Sequence, residues 1–356
     1  MTNMRFTAIK QSMESAAPSV KHGIIRLLLI SIAVGALTTS CNRQTASAPA
    51  KSESFSFSYQ VTVPSLPTDA KEVEVIIPAP PSDDKQSISN FRVASNIADS
   101  TYVDSFYNNN ILIFSAADSI PKNINITVTF NATRNEHAPI DSLDTRASDD
   151  ANPGGIPDSL KKYLVANKLV PIDGPIIAEA DSIVTETMTS FEKAQALYNH
   201  LFETMKYDKS GTGWGRGDAL YACDARRGNC TDIHSLFIGM ARSQGIPARF
   251  RIGFPLPDKL SIEKTNIPGY HCWAEFYIPD AGWIPVDISE AIKHPEKKEY
   301  YFGRLDPNRI AFTLGRDIVA PTRTGERAFN YLIYPQVFVD GKHFEGVERK
   351  FAVSAS

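Results

Sequence analysis

From Phe55 onward, apolar and polar positions alternate with period two: Phe55, Phe57, Tyr59, Val61 and Val63 are separated by small polar residues. Val73, Val75 and Ile77 alternate next, and later Ile124, Ile126, Val128 and Phe130 alternate with Asn and Thr. Successive side chains of a strand point to opposite faces, so these runs predict strands with one buried face. Asn108-Asn109-Asn110 lies between apolar runs as a turn. Short strands with turn signals between them predict a β-sandwich-like N-terminal domain over residues 55–133. It carries no chemical constellation and reads as a scaffold or docking module. Residues 134–157 are polar and rich in Asp, Ala, Gly and Pro, which places a domain linker there.

The period then becomes helical. Thr189 and Glu192 have capping-box spacing ahead of a stripe of Ala194, Leu197, Tyr198, Leu201, Phe202 and Met205, a core face. Residues 207–218 (YDKSGTGWGRGD) form a Gly-rich loop without the Gly-Lys-Ser/Thr ending of a phosphate loop, which argues against nucleotide binding. Gly228-Asn229-Cys230 opens another amphipathic helix. Ile233, Leu236, Phe237, Met240 and Ala241 mark its buried face, with His234 on the polar flank. Gly245-Ile246-Pro247 stops it. Ala248, Phe250, Ile252 and Phe254 alternate as a strand. Cys272, Ala274, Phe276 and Ile278 do the same, which puts His271, Trp273, Glu275 and Tyr277 on the opposite face. The chain turns at residues 279–282 and runs back over 283–287, and Asp340-Gly341 marks another hairpin.

At the N-terminus, Lys21, His22 and Arg26 flank the uncharged run LLLISIAVGAL (27–37), which is followed by Thr38-Thr39-Ser40-Cys41. A basic flank, a short apolar run and small residues read as an export signal, too short to span a membrane. The cysteine directly after the small residues resembles a bacterial lipoprotein lipobox, with Thr38 where Leu is commonest. That resemblance implies removal of residues 1–40 and lipidation of Cys41. A plain signal peptide or an uncleaved anchor is the alternative. Residues 41–54, rich in Ala, Ser, Thr and Lys, read as a flexible tether. The expected location is the cell envelope, membrane-anchored and facing the periplasm or exterior.

Composition is globular, with 42% hydrophobic and 22% charged residues. A net charge of -3 gives no electrostatic case for a nucleic-acid partner. Besides Cys41 there are three cysteines, Cys223, Cys230 and Cys272, so at least one thiol is free. Cys223 and Cys272 either pair or stay as two buried thiols.

Cys230 is the chemical focus. Backbone N–H groups and the helix dipole at a helix start favour a thiolate. His271 is placed to take its proton or hold a thiolate–imidazolium pair, and Asp287 to orient the imidazole. The Cys230 backbone N–H is one oxyanion donor, with Tyr207 and Trp214 as candidates for a second. A four-residue turn over 279–282 sets Asp287 opposite Ala274, on the wrong face for His271. A one-residue shift corrects this, so a bulge or odd loop is expected between 279 and 286. Cys230 and His234, with Cys223 and His271 nearby, invite a zinc reading, but paired C-x-x-C spacing is absent and no metal site is expected. Asp232 and Glu275 read as solvated or structural partners, Trp273 and Trp283 as core or groove wall, and Arg249 as a partner for a carboxylate beneath the site.

The stretches GNCTDIHSLFIGMARSQGIPARFRIGF (228–254) and GYHCWAEFYIPDAGWIPVD (269–287) resemble the transglutaminase-like core of the papain-like superfamily. The matching features are Gly-x-Cys before an apolar helix, Gly-Ile-Pro-Ala-Arg before a strand, His-x-Trp-x-Glu and Gly-Trp-x-x-x-Asp, within a wider likeness over about residues 190–290. The resemblance implies an α+β fold, with a helix packed on an antiparallel sheet, across a C-terminal domain of residues 158–356. It places the nucleophile on Cys230, the base on His271 and the third residue on Asp287, and implies acyl transfer from amides through a thioester, with no cofactor. The resulting expectation is an exported, lipid-anchored cysteine enzyme acting on peptide or protein substrates in the cell envelope, with hydrolysis favoured over amine transfer. The alternative is a catalytically inactive core used as an envelope binding or assembly module.

Overall fold

Three antiparallel sheets and a buried helix organise the chain. The computed structural model describes residues 51–142, 156–279 and 281–356. The export signal, Cys41, most of the tether and residues 143–155 lie outside these residues.

The predicted period-two runs are strands. Ser52–Val63 pairs with Ile124–Asn135, and its inward residues Phe55, Phe57, Tyr59, Val61 and Val63 are buried. Glu72–Ala79 pairs with Asn110–Ala117 in a second sheet, and the inward residues of both sheets join one buried cluster. The strands of residues 55–133 do not close these sheets alone. Glu348–Ala355 pairs with Ser52–Val63, with Phe55 opposite Ala355, and Gln336–Val339 pairs with Glu72–Ala79. Both sheets are five-stranded and take strands from both ends of the sequence. An expected boundary at 134–157 therefore does not separate sandwich from core. Ser52–Val63 and Glu72–Ala79 would each carry a free ladder edge, and the C-terminal strands supply the missing hydrogen bonds. The Asp340-Gly341 hairpin forms as expected, with Val339 opposite Lys342.

The third sheet has four strands in the order Gly282–Val286, His271–Ile278, Ala248–Pro255, Arg309–Leu314. The helix Cys230–Ser243 packs on it, giving the α+β core expected. Other helices surround that helix, so every residue from Cys230 to Arg242 is buried, not one face only. Its polar residues are satisfied one by one. Thr231 Oγ1 bonds Asn229, Ser235 accepts from Arg316 at 2.5 Å, and Arg242 donates to the carbonyls of Ala248 and Val165. The helix begins with a capping box between Asn229 and Asp232, and Thr189 with Glu192 caps the helix Ser190–Thr204 in the same way.

Gly253 sets the sheet spacing beside the site. A Cβ there would lie 1.7 Å from the Ile310 carbonyl oxygen. Gly253 also faces His271 in the ladder. Gly253→Ala is expected to cost about 1–3 kcal/mol through forced separation of the two strands. A urea unfolding midpoint equal to wild type would show that the strand Arg309–Leu314 yields freely.

Candidate active site

Cys230 is the first residue of its helix, fixed by the capping box of Asn229 and Asp232. Asp232 is fully buried, which rules out its reading as a solvated group. One carboxylate oxygen accepts from the backbone N–H of Gly217 at 2.8 Å, and the other from Gly215 at 2.6 Å and Asn229 at 3.0 Å. The Gly-rich loop 211–217 is thus pinned to the helix that Cys230 opens. Positive φ at Gly215 and Gly217 lets the loop turn its amides toward that carboxylate.

His271 opens the strand His271–Ile278, and Asp287 follows the strand Gly282–Val286 as the N-cap of a short helix, Ile288–Lys293. Ile278 pairs with Gly282, leaving three residues in the turn. This odd loop shifts the register by one residue from the four-residue expectation. His271 Nε2 lies 2.7 Å from Asp287 Oδ2. With that nitrogen turned to the carboxylate, Nδ1 is the one available to the Cys230 sulfur, which hydrogen-bonds the His271 side chain.

The electrostatics are mutually reinforcing. Hydrogen bonding from the Cys272 thiol, then from His271 with its charge, holds the Cys230 thiol well below its ordinary range despite burial. Burial opposes protonation of His271, but the Asp287 charge and hydrogen bond and the Cys230 sulfur carry its pKa up to about 10. Burial would raise Asp287, but His271 and Arg309 hold it well below the usual carboxylate range. Burial and the neighbouring Cys230 sulfur push Cys272 well up, so it stays a thiol and donates. The four trends describe one charge state: thiolate, imidazolium and carboxylate, with a protonated thiol at the side.

Two further partners of this set carried no motif. Arg309 Nη1 donates to Asp287 Oδ2 at 2.7 Å, and its Nη2 pairs with Asp306 at 3.0 Å. His234, expected on a polar flank, is fully buried. Its Nε2 accepts the Ile288 N–H at 3.1 Å, which assigns the proton to Nδ1, facing the Cys230 carbonyl and the Cys272 sulfur at 3.7 Å. Burial pushes its pKa down to about 4, so it is neutral and braces the turn after Asp287. Among the described residues no cluster of His, Cys, Asp and Glu has the form of a metal site.

The proposed second donors separate. Tyr207 is half-buried, and burial followed by the Cys230 charge raises its phenol, which sets it within electrostatic reach of Cys230. Trp214 Nε1 donates to the Gly211 carbonyl at 3.2 Å and is thereby occupied. Arg249 pairs with Glu275 at 2.5 Å, as expected of a carboxylate partner beneath the site. Cys223, Cys230 and Cys272 are all free thiols. A cavity of about 460 Å³ opens onto His271 and Arg309 between Leu256, Glu290 and Tyr301. A larger one, about 610 Å³, lies between sandwich loops 64–70 and 118–123, without a nucleophile.

Comparison with known proteins fits this geometry. Residues 178–288 match the transglutaminase-like superfamily. An uncharacterized protein of Haemophilus influenzae is 28% identical over 221 residues, covering 54% of this chain and 60% of the relative. The uncharacterized Bacillus subtilis protein YebA is 24% identical over 117 residues, 30% of this chain and 16% of its own length. The chain thus spans less than two thirds of these relatives. The crystal structure of a Cytophaga hutchinsonii protein, described as a candidate cysteine protease, superposes with a TM-score of 0.53 at 13% identity, covering 86% of this chain and all of that one. Residues 178–288 are thus similar to the transglutaminase-like superfamily, within a fold that the Cytophaga hutchinsonii structure shares.

Proposed function

We propose that the chain is a cysteine hydrolase of peptide or amide bonds, acting through Cys230, His271 and Asp287. The observation that carries this reading is the buried His271–Asp287 pair at 2.7 Å, with the Cys230 sulfur hydrogen-bonded to the same imidazole. The Cys230 thiolate attacks the amide carbonyl carbon. The Cys230 backbone N–H, unpaired within the helix, donates to the oxyanion. His271 Nδ1 gives its proton to the leaving amine, and a thioester remains on Cys230. Water then loses a proton to His271, attacks the thioester and releases the acid. Cys230 returns as the thiolate, and His271 as the imidazolium. Asp287 keeps the imidazole oriented throughout. The basic flank, apolar run and Cys41 support export and lipid anchoring, which sets the substrates in the cell envelope. Amine attack on the same thioester would give transamidation.

The test is alkylation of Cys230 with iodoacetamide across pH, followed by peptide mass spectrometry. A free thiol loses reactivity about tenfold per pH unit below its pKa of about 8.5. Cys230 should instead give a flat profile from pH 9 down to 6. The profile shape is diagnostic where the absolute rate is not, because Cys230 is only 3% exposed. A profile that falls from pH 8.5 like a model thiol would favour the inactive envelope module instead.

A further inference from the structure

We propose that the cavity between Arg134, His137, Arg249, Arg251, Glu275 and Trp283 binds a small oxyanion, either a carboxylate or an inorganic anion of phosphate size. This goes beyond the hydrolase reading and does not depend on it.

The cavity is about 250 Å³ and lies on the His271 face of the four-stranded sheet, further along the same strands. Glu275 faces Arg249 in the ladder, Trp273 faces Arg251, and His271 faces Gly253. Four cationic side chains line it, Lys85, Arg134, Arg249 and Arg251, against three carboxylates, Asp83, Asp84 and Glu275. Three cations are matched. Arg249 pairs with Glu275 at 2.5 Å, Arg251 with Asp83 at 2.9 Å, and Lys85 with Asp84 at 3.3 Å.

Arg134 is the one left over. It is 2% exposed, and among the described residues its Nε has no hydrogen-bond partner. Its guanidinium stands 6.0 Å from the Trp273 ring, which offers no counter-charge. Burial, and then the like charge of Arg251, lower its pKa to about 10 against the shared pull of Asp83, so the group remains cationic at neutral pH. His137 also lines the cavity. It is 6% exposed, and among the described residues its Nδ1 has no partner. Burial keeps it neutral, with a pKa near 4.

A guanidinium in excess of the carboxylates around it, with a buried unanswered Nε, beside a buried unanswered imidazole nitrogen, is a costly arrangement unless something answers them. The planar guanidinium fork matches the paired oxygens of a carboxylate or phosphate, and a neutral imidazole N–H adds one more donor. A cation would meet an excess of like charge there. A neutral apolar ligand would leave both nitrogens unanswered.

Thermal unfolding of the full chain in sodium phosphate, sodium acetate and sodium chloride at matched ionic strength tests this. A saturable rise in Tm above the chloride curve is expected, in phosphate for an inorganic anion and in acetate for a carboxylate ligand. General salting effects persist in variants, so the comparison with Arg134→Met decides. That variant should unfold at a higher Tm than wild type in chloride, because an unmatched buried charge is gone, and should lose the anion-dependent rise. His137→Gln keeps the charge and serves if Arg134→Met does not fold. It should move the midpoint to about tenfold higher anion concentration or more. Coincident wild-type curves in all three salts, or a full anion-dependent rise retained in Arg134→Met, would overturn the site.

Discussion

Asp287→Ala is expected to remove about 3–5 kcal/mol of folding stability, because it strips the buried His271 imidazolium of its counter-charge and Arg309 of one of its two. The carboxylate is fully buried and accepts from His271 Nε2 and Arg309 Nη1, both at 2.7 Å. Its other oxygen accepts from Ser289 Oγ and the Glu290 N–H, each at 3.1 Å, so the substitution also deletes a helix cap. Arg309 would keep Asp306, which limits the damage. The pH dependence follows from the two shifts. Asp287 has a depressed pKa in the fold, so its contribution is present above the unfolded value of about 3.9 and fades as pH falls through the folded one. His271 has a raised pKa, so its contribution is complete below the unfolded value of about 6.5 and fades as pH rises through about 10. The pair therefore contributes most between about pH 4 and 6.5, and there the wild type should exceed Asp287→Ala by the widest margin. Urea melts at pH 5.5 and pH 9.5 measure this. An equal gap at both would mean that the lost stability is packing, not charge.

The second large effect is kinetic. With a substrate in hand, Cys230→Ala and His271→Ala should each lose on the order of 10⁴-fold or more in kcat, and the double variant should be no worse than either alone. Groups that act as one unit fail as one unit. Asp287→Ala should lose less than His271→Ala, since an unoriented imidazole still carries protons. Multiplicative losses in the double variant would show that Cys230 and His271 act in separate steps. Trapping of an acyl group on Cys230 by mass spectrometry would identify the donor directly.

The grouping of Cys230, His271 and Asp287 was legible because each sits at a local signal. Cys230 follows a cap, His271 falls on one face of an alternating strand, and the Gly-Trp turn fixes the distance to Asp287. The register conflict in the hairpin was legible too, and its resolution by a three-residue turn is what faces Asp287 toward His271. Arg309 was not, because it reaches Asp287 from 22 residues away across a strand pairing that no local pattern announces. His234 was misread for a related reason, and Asp232 was left between a solvated and a structural role. Helical periodicity reports one buried stripe, while this helix is surrounded on every side, and its polar residues are structural bonds instead of a solvated flank. The sandwich strands were recognised singly, but their pairing with residues 336–339 and 348–355 spans nearly the whole chain and leaves no trace in spacing.

That long-range pairing has a mechanical side. Ser52–Val63 and Glu348–Ala355 run antiparallel, with Phe55 beside Ala355 at one end and Thr62 beside Glu348 at the other. Residues 51 and 356 therefore leave the sheet at the same end. Tension applied between them falls on the Phe55–Ala355 pair first, then on the next, so the strands peel bond by bond instead of resisting together in shear. The sandwich takes that load before the sheet that holds His271 does.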